Sequence, residues 1–318
     1  MADAQTFRHR GRHVFDRLAV KKFEGNYGSP GNGNTYFVDG ISGNDNYKGE
    51  YPSSPLKTID AALAKCTTEN DDYVFVMDCW SAGEPIEVDI SLVHIIGVNS
   101  PHAPWACLNA GADTAIFTAS STGNSCEIAG FNIGGGDAHA GIEMGNCIGM
   151  WIHHNAFGHP YSGDTPLYGI WNGGTYNPAY CLIEDNRFYG DGKSDGTITG
   201  SGIRVNGGGN YLMVNGIIRR NSFLGLIGAT NAGAIDLDRV QGAEISDNYF
   251  HVTDAADGDA INLLGQCRHN LIMNNKAAHG MGVASGNNIT PYRDLAANTL
   301  NGWAWNSYNN AYIEPVGV

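Results

Sequence analysis

Groups able to move protons recur at the spacing of a repeat. Asp238, Asp259 and His279 lie 21 and 20 residues apart, with Asp257 two residues before Asp259. Two carboxyl groups flanking a sugar linkage suffice for its hydrolysis, one protonating the leaving oxygen while the other activates water. A second set suits holding a sugar. Glu143, Trp171, Arg204, Asp236 and Asn262 each follow the isoleucine of a Gly/Ala-Ile pair: Gly141-Ile142, Gly169-Ile170, Gly202-Ile203, Ala234-Ile235 and Ala260-Ile261. In an extended chain the residue after an inward isoleucine points outward, so these five form an outer row. There an indole stacks on a pyranose ring and a guanidinium holds a carboxylate. The same residues also suit a solvated face, with Arg204 and Asp236 as a cross-strand pair worth under ~1 kcal/mol. Asp and Gly at such positions also serve turns.

These residues need a scaffold that repeats. Five segments align without gaps on the pattern Ile-x-x-Asn-x-Phe, with Asn155, Asn186, Asn221, Asn248 and Asn275 at spacings of 31, 35, 27 and 27, and Ile128 to Ile133 is a degenerate earlier copy. The Gly/Ala-Ile series interleaves with it. Two short strands per repeat, joined by variable loops, predict a solenoid of about seven coils over residues 90–290. Stacking buries the Ile and Phe positions, and the repeated Asn bonds its neighbours above and below at a bend. Glycine-rich turns are expected to supply positive φ at the corners. The residue before each core isoleucine of the Asn repeat, Trp151, Leu182, Ile217, Glu244 and Leu271, either faces out as an oligomer interface or turns partly inward.

The Ile-x-x-Asn-x-Phe series resembles the right-handed parallel β-helix of the pectate-lyase-like superfamily. The opening Tyr36-Phe37-Val38-Asp39-Gly40, Gly43-Asn44-Asp45 and Pro55 to Ala62 resemble the N-terminal cap of such proteins. The resemblance implies an all-β, right-handed single-stranded parallel β-helix (solenoid) with one N-terminal capping helix. It covers residues 35 to about 290. Asp238, Asp257, Asp259 and His279 are similar to the acid, acid-pair and Gly-His-Gly arrangement of polygalacturonase-type hydrolases, although Gly258 splits the acid pair and the downstream Arg-Ile-Lys is absent. For a lyase, Arg204 beside Asp236 is the available base. The fold serves lyases, hydrolases, adhesins and phage tailspikes alike.

Around this body the expected organisation is a basic arm and Gly/Asn linker (1–34), a cap (35–90), coils (91–295) and an aromatic C-terminal cap (296–318). The cap holds strands at Thr35–Val38 and Tyr73–Met77 and a helix over Thr58–Cys66, capped by Ser54 or Thr58. Asp39, Asn44 and Asp45 suit either a calcium loop or Asx turns. His153 and His154 should point apart along a strand, so shared metal ligation is not expected. No other cofactor is expected.

The charge is unevenly divided. The chain carries 18 Lys+Arg and 32 Asp+Glu, a net −14, yet residues 1–25 hold six basic and three acidic side chains, which leaves the remaining 293 residues at −17. Arg8, Arg10, Arg12 and Arg17 therefore read as a tether to something acidic. The acidic body argues against a duplex nucleic-acid binder. No apolar run approaches a membrane span, and Met1–Val20 lacks the apolar core of a secretory signal. The seven cysteines form no CxxC pair, so buried small hydrophobes in a reducing compartment are expected. These features, joined to the resemblance, point to a phage virion protein: a tailspike, fibre or capsid decoration. It would be assembled in the host cytoplasm, homotrimeric, bound to other virion proteins through its arm, and able to hold surface glycans. The alternative is a polysaccharide hydrolase or lyase.

Overall fold

The computed structural model describes residues 33–80, 85–98, 106–108, 115–134, 139–158, 167–173, 176–190, 200–206, 213–224, 233–252, 259–279, 292–296, 300–308, 311–312 and 316–317. The tether arginines and Asp257 lie outside them, and His279 is described in its backbone alone.

The chain is a single-stranded parallel β-helix. Among the described residues every strand pairing is parallel except that of Ser307–Tyr308 with Ala311–Tyr312. Each central coil contributes three strands, not two. The asparagine motif is itself two strands with a corner between them, as in Trp151–His153 and Ala156–Phe157. The first sheet stacks Thr35–Asp39, Asp72–Trp80, Val93–Gly97, Glu127–Ala129, Trp151–His153, Leu182–Glu184, Ile217–Arg219, Glu244–Ser246, Leu271–Met273 and Gly302–Ala304. Seven of these lie between Val93 and Met273, the expected number of coils. The second sheet follows the corner, and the third carries the Gly/Ala-Ile series. Coil pairing runs on past residue 295, into the stretch read as an aromatic cap.

The corner differs from its expected chemistry. Its left-handed residue is not glycine in the asparagine repeats but His154, Asp185, Arg220, Asp247, Asn274 and Trp305, with φ between 53 and 57°. The following asparagine makes this affordable. The amide of Asn186 donates to the Ile152 carbonyl (2.9 Å) and to Asn221 Oδ1 (3.1 Å), and its backbone N–H donates to the same Oδ1 (3.0 Å). The pattern repeats through Asn155, Asn186, Asn221, Asn248, Asn275 and Asn306, each buried. Every polar atom of the inner ladder amides is used, so internal hydrogen bonds offset the cost of taking the amides out of water.

Inside, Ile95, Ile128, Ile152, Ile183, Ile218, Ile245 and Ile272 form one fully buried column. Beside it Phe157, Phe188, Phe223 and Phe250 stack with centroids 4.7–4.8 Å apart. The helix is shorter than expected, Ile59–Leu63. Thr58 caps it by accepting the Ala61 N–H, and Ile59, Ala62 and Leu63 are buried. Cys126, Cys147, Cys181 and Cys267 are buried free thiols. Asp39 and Asn44 make turns, Asp39 accepting from the Ile41 and Ser42 amides and Asn44 from Asn46, whereas Asp45 makes no turn but accepts from the distant Lys57 and Thr58 amides at the start of the helix.

Candidate functional site

The third sheet aligns Thr118, Glu143, Trp171, Arg204, Asp236, Asn262 and Arg293 in one row. The isoleucine before each of its middle five members is fully buried, which turns this row to the outer face. The row is not uniformly open. Glu143, Trp171, Arg204 and Arg293 are part-exposed, whereas Asp236 and Asn262 are only 2% and 1% exposed, contrary to the flat solvated face expected.

The reason is a second row three residues earlier, which the alternation rule hides. Tyr168, Ser201, Gly233 and Asp259 precede Trp171, Arg204, Asp236 and Asn262 by three positions, and several contact the same neighbours. The Ser201 hydroxyl donates to Asp236 Oδ2 (2.6 Å), the Gly233 N–H to Asp236 Oδ1 (2.8 Å), and the Asn262 amide to the same Oδ1 (3.0 Å). Arg204 Nη1 sits 3.6 Å from Asp236 Oδ2. A side chain at Gly233 would crowd this site, its Cβ coming within 2.9 Å of Asp236 Oδ1 and 3.1 Å of the Asn262 amide nitrogen. Burial raises the Asp236 carboxyl above the ordinary range against these four partners.

The neighbouring acid is held similarly. Asp259 pairs with Gly233 in register and is 4% exposed, with its Oδ2 3.3 Å from Arg293 Nε. The site thus contains two buried acids, each beside a part-exposed arginine. Toward the N-terminus it becomes aromatic. Tyr168 and Trp171 lie nearly parallel, 6.4 Å between centroids, His139 sets its edge against Trp171 at 4.2 Å, and the Arg204 guanidinium lies over the Tyr168 ring at 5.5 Å. Glu143 closes this end, its carboxyl raised by burial.

The proton-moving set proposed from spacing is divided. Asp238 pairs with Leu264 and Asp259 with Gly233, at opposite ends of the same two strands. The acid brought toward Asp259 is Asp236, whose carboxylate reaches back to Gly233. The spacing of 21 residues from Asp238 to Asp259 failed because the coil here is 26 residues long, from Gly233 to Asp259 and from Asp238 to Leu264. His279 lies on the second sheet, paired with Val252, away from the third-sheet row in register. Sequence reasoning missed Tyr168, Ser201, His139 and Arg293. The repeated offset of three residues was the signal that marks the first two.

The candidate interface row is continuous on the first sheet, from Glu127 through Trp151, Leu182, Ile217, Glu244 and Leu271. Trp151 and Leu271 are 38% and 42% exposed, Leu182, Ile217 and Glu244 are part-exposed, and Glu127 is buried. The row faces out.

Neither a family model nor a curated protein matches the sequence. Among solved structures, an alginate lyase from Paenibacillus sp. str. FPU-7 is 14% identical, with a TM-score of 0.49 over 80% of this chain and 93% of that one. Pectate lyase Pel9A is 11% identical, with a TM-score of 0.38 over 88% and 78% of the two chains. The Streptococcus pneumoniae surface protein and adhesin PfbA is 10% identical, with a TM-score of 0.40 over 81% and 93%. The likeness is one of fold alone.

Proposed function

We propose that this β-helix binds a polysaccharide along the outer face of its third sheet. One observation carries the reading: Tyr168 and Trp171, then Arg204, then Asp236, then Asp259, then Arg293 occupy successive coils of one face. Coils repeat at about 4.8 Å, close to the scale of a sugar unit, so a chain laid along the stack meets an aromatic platform and then two acid–arginine pairs. Burial raises the pKa of Asp236, which makes it the acid of this face to test for proton transfer to a linkage oxygen, the step that would extend binding to cleavage.

The test is retention on a panel of neutral and acidic polysaccharides by affinity electrophoresis. Trp171→Ala and Arg204→Met should each weaken retention tenfold or more, while Leu271→Ser on the first sheet leaves it unchanged. Retention by none of the panel, or equal loss in Leu271→Ser, rejects the site. New reducing ends or unsaturated products above an Asp236→Asn control distinguish cleavage from binding.

A second, compatible reading is supported by the division of charge. A basic arm of net +3 before a body of −17 suits attachment of the rod to a larger particle such as a virion, with the Trp151, Leu182, Ile217 and Leu271 stripe joining copies as a homotrimer.

A further inference from the structure

On the outer face of the first sheet, five titratable side chains from four successive coils touch in sequence. His94 presents Nε2 to Asp71 Oδ1 at 2.8 Å and Nδ1 to Glu127 Oε2 at 2.5 Å. The other oxygen of Glu127 lies 2.6 Å from His153 Nε2, and His153 Nδ1 lies 2.7 Å from His154 Nδ1. The expectation that the paired histidines diverge fails because His154 is the left-handed corner residue, φ 54°, which swings its ring back toward His153. Tyr73 stacks on His94 at 4.3 Å and Trp151 on His153 at 3.9 Å, and the side chains of His94, Glu127 and His153 are 11–17% exposed.

Proton counting restricts this chain. Both nitrogens of His94 face carboxylate oxygens, so both contacts are hydrogen bonds only when His94 is the imidazolium. Glu127 must be ionised to accept from both histidines. His153 donates through Nε2, which leaves room for one hydrogen between the two Nδ1 atoms. A second would put two hydrogens into a 2.7 Å gap. The other charged groups facing the cluster are Glu184, bonded by Trp151, Arg219 and Arg220, and Asp185, bonded by Arg220 and close enough to both His153 and His154 to act on them.

We propose that Asp71, His94, Glu127, His153 and His154 form a pH-gated latch that fastens four N-terminal coils in mildly acidic solution and loosens them as the pH rises. The signs agree. Burial opposes the charge of His94, but Glu127 and Asp71 raise its pKa overall, so its contribution is complete below the unfolded value of about 6.5 and is lost as pH rises through the higher folded value. Burial likewise opposes the charge of Glu127, yet the bonds from His153 and His94 bring its pKa down to about 2. Its contribution is therefore complete above the ordinary carboxyl range and is lost only as pH falls toward about 2.

The experiment uses the full chain. Histidine-labelled wild-type protein is titrated by nitrogen NMR, and urea midpoints are measured between about pH 5.5 and about pH 8.5, a window spanning the ordinary histidine range. A histidine ring protonated at both nitrogens well above the ordinary range, and a fall in midpoint with pH that Glu127→Gln lacks, support the latch. If all wild-type histidines titrate at or below the ordinary value, the latch is rejected whether or not the variant folds. Parallel midpoint profiles for wild type and Glu127→Gln reject it equally.

Discussion

The Asn221 amide donates to the Ile183 carbonyl and to Asn248 Oδ1, and its oxygen accepts both the backbone and side-chain N–H of Asn186. Water reaches none of these groups, since Asn186, Asn221 and Asn248 are each 1% exposed. Removing the amide thus strands the Asn186 N–H donors and the Ile183 carbonyl in one neighbouring coil and takes one of its two Asn221 donors from Asn248 Oδ1 in the other. Asn221→Ala should cost roughly 3–5 kcal/mol, the sum of a few buried groups left without partners, measured as a loss of urea midpoint. Asn221→Asp should do no better, because the second oxygen would face the Ile183 carbonyl and Asn248 Oδ1, both acceptors. The same logic explains why a polar residue recurs at a core position. The left-handed corner leaves amides that no strand can satisfy, and an asparagine one coil on satisfies them.

Strands constrain one another across the interior. Gly141, Gly169 and Gly202 on the third sheet face the phenylalanine stack of the second. A Cβ at Gly202 would lie 2.7 Å from the Phe223 ring, and at Gly169 2.7 Å from Phe188. Where the second-sheet column shrinks to Ala277, the third sheet carries Ala260. Gly202→Ala should therefore destabilise by about 1–3 kcal/mol through overpacking, although alanine is the better strand residue elsewhere. Adding Phe223→Leu should recover part of that loss, and a double-mutant cycle of chemical denaturation midpoints reads the coupling. Strict additivity would mean that the two positions do not share space.

At the scale of the whole molecule the prediction concerns the arm. Asn32–Val318 is a compact unit with its own continuous core. Deleting residues 1–25 should leave the circular dichroism spectrum and urea midpoint unchanged but abolish the proposed attachment to a larger particle. Normal attachment of the truncated chain would remove the tether from the function. Salt should weaken attachment of the full chain, because attraction between opposite charges across water is screened.

Sequence alone determined the parallel β-helix. The interleaved Ile-x-x-Asn-x-Phe and Gly/Ala-Ile series leave each coil with apolar and amide groups that only stacked copies can bury and pair. It also determined the outer row, because side chains alternate across a strand whatever the loops do. The tertiary structure decided which outer residues meet. The repeat placed Arg204 and Asn262 beside Asp236, but the Ser201 and Gly233 bonds that bury its carboxylate come from outside the repeated pattern. The second outer row at Tyr168, Ser201 and Asp259 breaks the alternation from which the first was read. His153 and His154 came together for the same kind of reason: a left-handed corner reverses a side-chain direction that an extended strand would have fixed.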